Sequence, residues 1–350
     1  MRTHVRLAMF LVTAVATAQT QAATPASPGA DKSCTLNQYA SLKLTTDEFG
    51  RILVPVELEG KMTSMTLSMS SAFSGIYDAA LKQFSLKTSN LDPSAIVQYG
   101  GKRIDRYANV TSMSLGNARW SRSELLVVPI DRPKTSVGDM PLVGFIGTDL
   151  FRKIDVELDL GHNEMRLFGP YACAGIPVYW ADEYNVVPMR RGQLNDLYFV
   201  MELDGKKLQA KLATGSDTSK LYTNVTKKLY GWDEHSSGVE TVEDPRSGSR
   251  TQYRAMALTA GGLSIVNAKI ALYPPTGCLQ SAVIASDHDG AAGFDYHCMG
   301  AYPLGLGMNV LAKLRLYLAS KQGKLYFTPW NAHKDTAPAG LAPAVPAPGH

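Results

Sequence analysis

Residues 198–216 read YFVMELDGKKLQAKLATGS, and this stretch decides the fold. Tyr198 to Leu203 alternates apolar and polar residues as a strand does, Asp204-Gly205-Lys206 turns, and Leu208 to Leu212 returns. Asp-Gly between two alternating runs is a hairpin signal, because the tight turn that matches strand twist needs positive φ at its centre. The same pattern stands earlier as ILVPVELEGKMTSMTLSMSS over residues 52–71, with Ile52 to Glu59, a Gly60-Lys61 turn and Met62 to Leu67. With Gly60 set on Gly205, Ser68-Met69-Ser70-Ser71 falls on Ala213-Thr214-Gly215-Ser216, and Ile76-Tyr77 falls on Leu221-Tyr222. Each is followed by a helix-like segment, Asp78 to Phe84 and Asn224 to Leu229.

The chain therefore repeats itself. Working outward, Phe145-Ile146-Gly147-Thr148-Asp149-Leu150-Phe151 resembles Gly305-Leu306-Gly307-Met308-Asn309-Val310-Leu311. Each leads into an alternating strand, marked by Ile154, Val156 and Leu158 or by Leu314, Leu316 and Leu318, and each closes with a hairpin. Many short strands with glycine turns predict a mainly β chain with few short helices. The expected organisation is two similar β-barrel lobes related by a pseudo-twofold axis. Residues 40–172 form the first lobe, 173–196 the connection and 197–330 the second lobe.

The ends differ from this pattern. Arg2 and Arg6 precede the small, apolar run Leu7 to Ala18, and Ala16-Thr17-Ala18 or Thr20-Gln21-Ala22 offers a cleavage site, so residues 1–22 predict a secretory signal. The apolar run is shorter than the roughly 20 residues that span a bilayer, so no integral membrane segment is expected. Residues 23–39 predict a linker, and the Ala/Pro repetition of 331–350 a disordered tail. The formal net charge of +4 over 350 residues is small and forms no basic stripe, which argues against nucleic acid.

Export to a secreted or periplasmic location gives the four cysteines meaning. Cys34, Cys173, Cys278 and Cys298 allow three pairings. Cys278 and Cys298 lie inside the longer insertion of the second lobe and Cys34 and Cys173 bracket the first, which favours Cys278–Cys298 and Cys34–Cys173.

The strand end Lys211-Leu212-Ala213-Thr214-Gly215-Ser216, with the later Ile146-Gly147-Thr148-Asp149-Leu150, resembles the landmarks of the retropepsin-like aspartic peptidases. The likeness covers both lobes. It implies two elbows meeting at a pseudo-twofold axis, where paired aspartates share a proton and activate water against a peptide carbonyl. This chain departs from the pattern at that place. The family's aspartate positions hold Ser68 and Ala213, and Met69 and Ser70 replace Thr and Gly in the first lobe. Alanine does not titrate, and a serine hydroxyl without a base does not act as a general base near neutral pH.

The resemblance thus implies an exported pseudoprotease, a monomer that needs no cofactor or metal and binds extended polypeptide between its lobes. Cleft contacts are expected from Ser70, Ser71, Thr214, Gly215 and Ser216, and from Tyr99 and Gly100 of a flap. The second lobe's flap is expected at Asp244 to Tyr253, tipped by Ser247-Gly248-Ser249. Gly147, Asp149, Gly307 and Asn309 match positions that support the elbows. One alternative is an active aspartic endopeptidase, working through an unusual acid such as Asp217 or with Ala213 standing for an aspartate. A second is a scaffold protein of the envelope.

Other features read as structural. Asp155 and Asp159 alternate with Val156 and Leu158 and are expected on a solvent face. Asp287-His288-Asp289-Gly290 with Asp295 and His297 lacks metal-ligand spacing and reads as a solvated insertion. His162, His235 and His333 stand in polar or turn contexts. Tyr99-Gly100-Gly101-Lys102 lacks the phosphate-loop pattern, and Asn109-Val110-Thr111 and Asn224-Val225-Thr226 match the glycosylation sequon by chance.

Overall fold

In a computed structural model the described residues are 35–93, 97–99, 102–129, 136–137, 140–171, 175–243, 248–295, 298 and 300–332. The leader, Cys34, Cys173, Gly100, Asp244 to Ser247, His297, His333 and the tail beyond residue 332 lie outside them, and with them the Cys34–Cys173 pairing.

Both repeated hairpins form. Ile52–Leu58 pairs antiparallel with Lys61–Leu67, and Leu197–Leu203 with Lys206–Leu212. Their turns are near copies, with φ of 47° and 75° at Glu59-Gly60 and of 44° and 76° at Asp204-Gly205. Two successive positive φ values are what this turn class requires, and glycine meets the second without steric cost.

Each hairpin closes into a six-stranded barrel. In the first lobe the order runs Ile52–Leu58, Lys61–Leu67, Met140–Ile146, Gly75–Tyr77, Ala118–Val128, Arg106–Leu115 and back to Ile52–Leu58. In the second it runs Leu197–Leu203, Lys206–Leu212, Leu304–Leu306, Ser219–Tyr222, Leu263–Tyr273, Arg250–Ala260 and back. The parallel pairs correspond as well, Phe145 beside Thr66 and Gly305 beside Lys211. Two similar barrel lobes with few short helices are therefore present. Val54, Val56, Met65, Leu67 and Ile146 fill one barrel, and Leu203, Leu208, Ala210, Leu212 and Leu306 the other, all buried.

A further sheet joins the lobes. Its strands run Gln38–Lys43, Glu164–Phe168, Asp155–Asp159, Leu314–Ala319, Lys324–Pro329 and Asn185–Arg191, so each lobe contributes its closing hairpin. Val156 sits opposite Leu318 and Leu158 opposite Leu316 at the seam. Here the sequence expectation is corrected. Asp155 and Asp159 do not face solvent; with Glu157 between them they are buried, at 0%, 3% and 0% exposure. The connection between the lobes explains this, because Val178, Trp180 and Ala181 pack with Phe168, Tyr317 and Tyr326 against this sheet.

The buried acids are fully partnered. Asp155 accepts from the Tyr171 and Ser320 N–H groups, the Ser320 hydroxyl and the Tyr317 hydroxyl. Glu157 accepts from Arg166 at 2.6 Å, from Arg315 Nε at 3.0 Å and Nη2 at 2.6 Å, and from the Tyr179 hydroxyl at 2.8 Å. Burying charge is costly unless it is paired and hydrogen-bonded, and both conditions hold. Asp159 is 2.8 Å from His162 Nδ1, and the His162 ring meets Trp330 edge-on. In the second lobe's insertion, Cys278 is joined to Cys298.

Candidate functional site

The site begins where the second strand of each hairpin stops. Ser68 donates its N–H to the Ile146 carbonyl, and Ala213 donates to Leu306, so both chains peel away at the same point of their barrel. A tight turn follows in each, Ser71 N–H to Ser68 O and Ser216 N–H to Ala213 O, both 2.9 Å. The side chains repeat the symmetry. Ser71 Oγ donates to Phe73 O and Ser216 Oγ to Thr218 O.

The supports beneath are twinned too. Asp149 accepts from the Ser74 N–H at 3.0 Å and hydroxyl at 2.7 Å, and Asn309 Oδ1 accepts from the Ser219 N–H and hydroxyl, both at 2.8 Å. The same serine hydroxyls each accept the N–H of a glycine at 2.9 Å, Gly147 and Gly307. Those glycines are needed for close backbone approach. A Cβ on Gly147 would lie 2.3 Å from the Phe73 carbonyl oxygen, and one on Gly307 2.2 Å from the Thr218 carbonyl carbon.

The two supports differ in charge. Burial raises the pKa of Asp149, opposed by the hydrogen bonds from Ser74, whereas Asn309 does not titrate. An acid with a raised folded pKa contributes stability that is whole below its unfolded value and is lost as pH rises through the folded one. Denaturant midpoints measured from pH 4 to 8 are therefore expected to drift apart, with Asp149→Asn gaining on the parent as pH rises. Parallel profiles would contradict this.

The elbows bind each other across the axis. Thr214, fully buried, donates its hydroxyl to Leu67 O at 2.8 Å and accepts the Met69 N–H at 3.0 Å. The link is one-sided, because Met69 stands at Thr214's counterpart and brings no hydroxyl. Thr214→Val keeps the shape but orphans two buried backbone groups, so a loss of about 2–3 kcal/mol is expected by urea denaturation. Thr214→Ser should recover most of it, and an unchanged midpoint in Thr214→Val would refute the link.

Ser68 and Ala213 are both partly exposed at this junction. A Cβ on Gly215 would sit 3.8 Å from Ser68 Oγ and from Leu67 O, so the serine hydroxyl faces the opposite elbow. Neither elbow, Leu67 to Ser71 or Leu212 to Ser216, contains an acid. Asp217 is exposed, and its Cβ lies 3.5 Å from where Gly50 would carry one, at a turn of the first lobe.

Lys211 was missed from sequence. It is buried, and its ammonium donates to Ser70 O at 2.9 Å and Gly300 O at 2.8 Å and lies 2.9 Å from the Asp196 carboxylate. It also sits 4.6 Å from the centre of the Tyr302 ring, which stacks on Tyr198. Burial lowers its pKa, opposed by Asp196. The bond to Ser70 ties the lobes a second time. The available signal was a lysine directly before Leu212 at the strand end, where the first lobe has Thr66.

The remaining candidates lie elsewhere. Tyr99 stands on a separate two-stranded hairpin, Val97–Tyr99 with Lys102–Ile104, its ring stacked on Phe145. In the second lobe Val239–Glu243 pairs with Arg250–Ala260. Asp287 and Asp289 are engaged by Arg190, and Asp287 also by Gln209. Among the described residues no three His, Cys, Asp or Glu side chains gather as a metal site would need. Among them too, no helix is long and apolar enough to cross a membrane. Asn109 lies on an exposed strand position, while the Asn224 amide donates to Leu279 O.

No family model matches the chain, and no curated protein matches it. Among solved structures the chain is similar to an aspartic proteinase from Irpex lacteus, with a TM-score of 0.47 and 10% identity over 83% of this chain and 97% of that one. It is also similar to conglutin gamma, a basic 7S globulin from lupine seeds, with a TM-score of 0.41 and 9% identity over 84% of this chain and 95% of that one.

Proposed function

We propose that this chain is an exported, catalytically inactive relative of the aspartic peptidases that holds extended polypeptide between its lobes. One observation carries this reading: two mutually bonded elbows present Ser68 and Ala213 where water activation needs two carboxylates. A carboxylate pair works because one member stays protonated while the other ionises. Serine and alanine cannot divide those roles. Ser70, Ser71, Gly215 and Ser216, all partly exposed, contribute backbone and hydroxyl groups at the same place, while the buried Thr214 holds the elbows together and does not face the cleft. Main-chain recognition of an extended peptide needs such groups and no acid. The protein acts as a monomer, since one chain supplies both elbows.

Calorimetric titration with unstructured peptides tests the reading. Saturable binding that a peptide-like aspartic protease inhibitor competes away is expected. Absence of heat together with absence of competition would refute it.

A further inference from the structure

A cavity of about 580 Å³ opens between the first lobe and the joining sheet. Four cations line it, Arg119, Arg152, Lys153 and Lys321, together with the rings of Trp120 and Tyr39. They come from separate segments. Arg119 and Trp120 lie on Ala118–Val128, Arg152 and Lys153 follow the short helix Thr148–Phe151, and Lys321 lies in the turn between Leu314–Ala319 and Lys324–Pro329. No aspartate or glutamate is among the lining residues, and among the described residues none of the four cations forms an ion pair. In a chain with 35 basic and 31 acidic residues, that local imbalance is a departure from its own average.

Asp155 is near but does not supply the missing charge. It lies under Ser320, another lining residue, wholly buried and saturated by the donors already described. The pKa of Arg191 is lowered first by burial and then by the charge of Arg152, one of the lining cations.

We infer that this cavity binds a small molecule bearing a phosphate monoester on an aromatic or sugar ring. A phosphate monoester carries about 1.5 to 2 negative charges and three acceptor oxygens, so it answers several converging cations where a single carboxylate answers one. Trp120 and Tyr39 offer the ring an aromatic surface. None of the elbow residues lines the cavity, so the inference stands apart from the reading of the cleft. The ligand spans residues of both lobes.

The test uses the full chain and three probes in calorimetry: 1-naphthyl phosphate, inorganic phosphate and 1-naphthol. Saturable binding of naphthyl phosphate is expected, with inorganic phosphate weaker and naphthol absent. Arg152→Ala with Lys321→Ala, both exposed side chains, should weaken naphthyl phosphate by at least about tenfold. Trp120→Leu should weaken naphthyl phosphate more than inorganic phosphate, which separates ring contact from charge. Circular dichroism of each variant checks that the fold persists. Sedimentation with vesicles containing phosphatidic acid distinguishes the source: co-sedimentation lost in the double variant assigns a lipid headgroup, and none assigns a soluble ligand. Failure of naphthyl phosphate to saturate, or equal affinity in the double variant, overturns the inference.

Discussion

Gly307→Ala is expected to cost about 3 kcal/mol or more, or to prevent a cooperative native state. The added methyl would lie 2.2 Å from the Thr218 carbonyl carbon, 2.3 Å from its oxygen and 2.6 Å from the Ser219 nitrogen. All three are backbone atoms, so no rotamer change relieves the overlap. The shift needed would pull Ser219 away from Asn309 and Gly307 and with it the base of the second elbow. Gly147→Ala is the twin, with a methyl 2.3 Å from the Phe73 oxygen. Chemical denaturation with far-UV circular dichroism measures both. A loss under about 1 kcal/mol in either would show that the elbows are not built on this close approach.

Glu157→Ala should cost about 3–5 kcal/mol, the range for removing one partner of a buried ion pair. The carboxylate has no solvent exposure and holds Arg166, Arg315 and Tyr179 together at the seam between the lobes. Its removal leaves two guanidinium groups facing each other. Arg315 also lies 4.3 Å over Trp180 and 5.6 Å over Tyr179, so the ring packing of the connection is disturbed too. Glu157→Gln, which keeps the volume and an acceptor, should lose less. Thermal unfolding that is unchanged in Glu157→Ala would mean the seam does not depend on this charge.

The duplication was legible because its signals are local. Asp204-Gly205 and Glu59-Gly60 announce their turns within two residues, and Ser68 and Ala213 follow at fixed distances from them. The barrel closure extends the same pairing. What sequence did not reveal depends on partners distant along the chain. Alternation at Asp155, Glu157 and Asp159 correctly assigns one face of a strand, but the cover over that face comes from Val178 and Trp180 in the connection. Lys211 is explained by Asp196, Gly300 and Ser70, each outside its hairpin. The cations of the ring-lined cavity make no run in the sequence; folding of three separate segments assembles them.

The most direct test incubates unfolded polypeptide with the protein from pH 3 to pH 8 and examines the polypeptide by intact-mass spectrometry. Because Ser68 and Ala213 leave the junction without an acid pair, the account predicts polypeptide of unaltered mass at every pH, including where complex forms. New termini that appear in proportion to the amount of protein and vanish with pepstatin would contradict it.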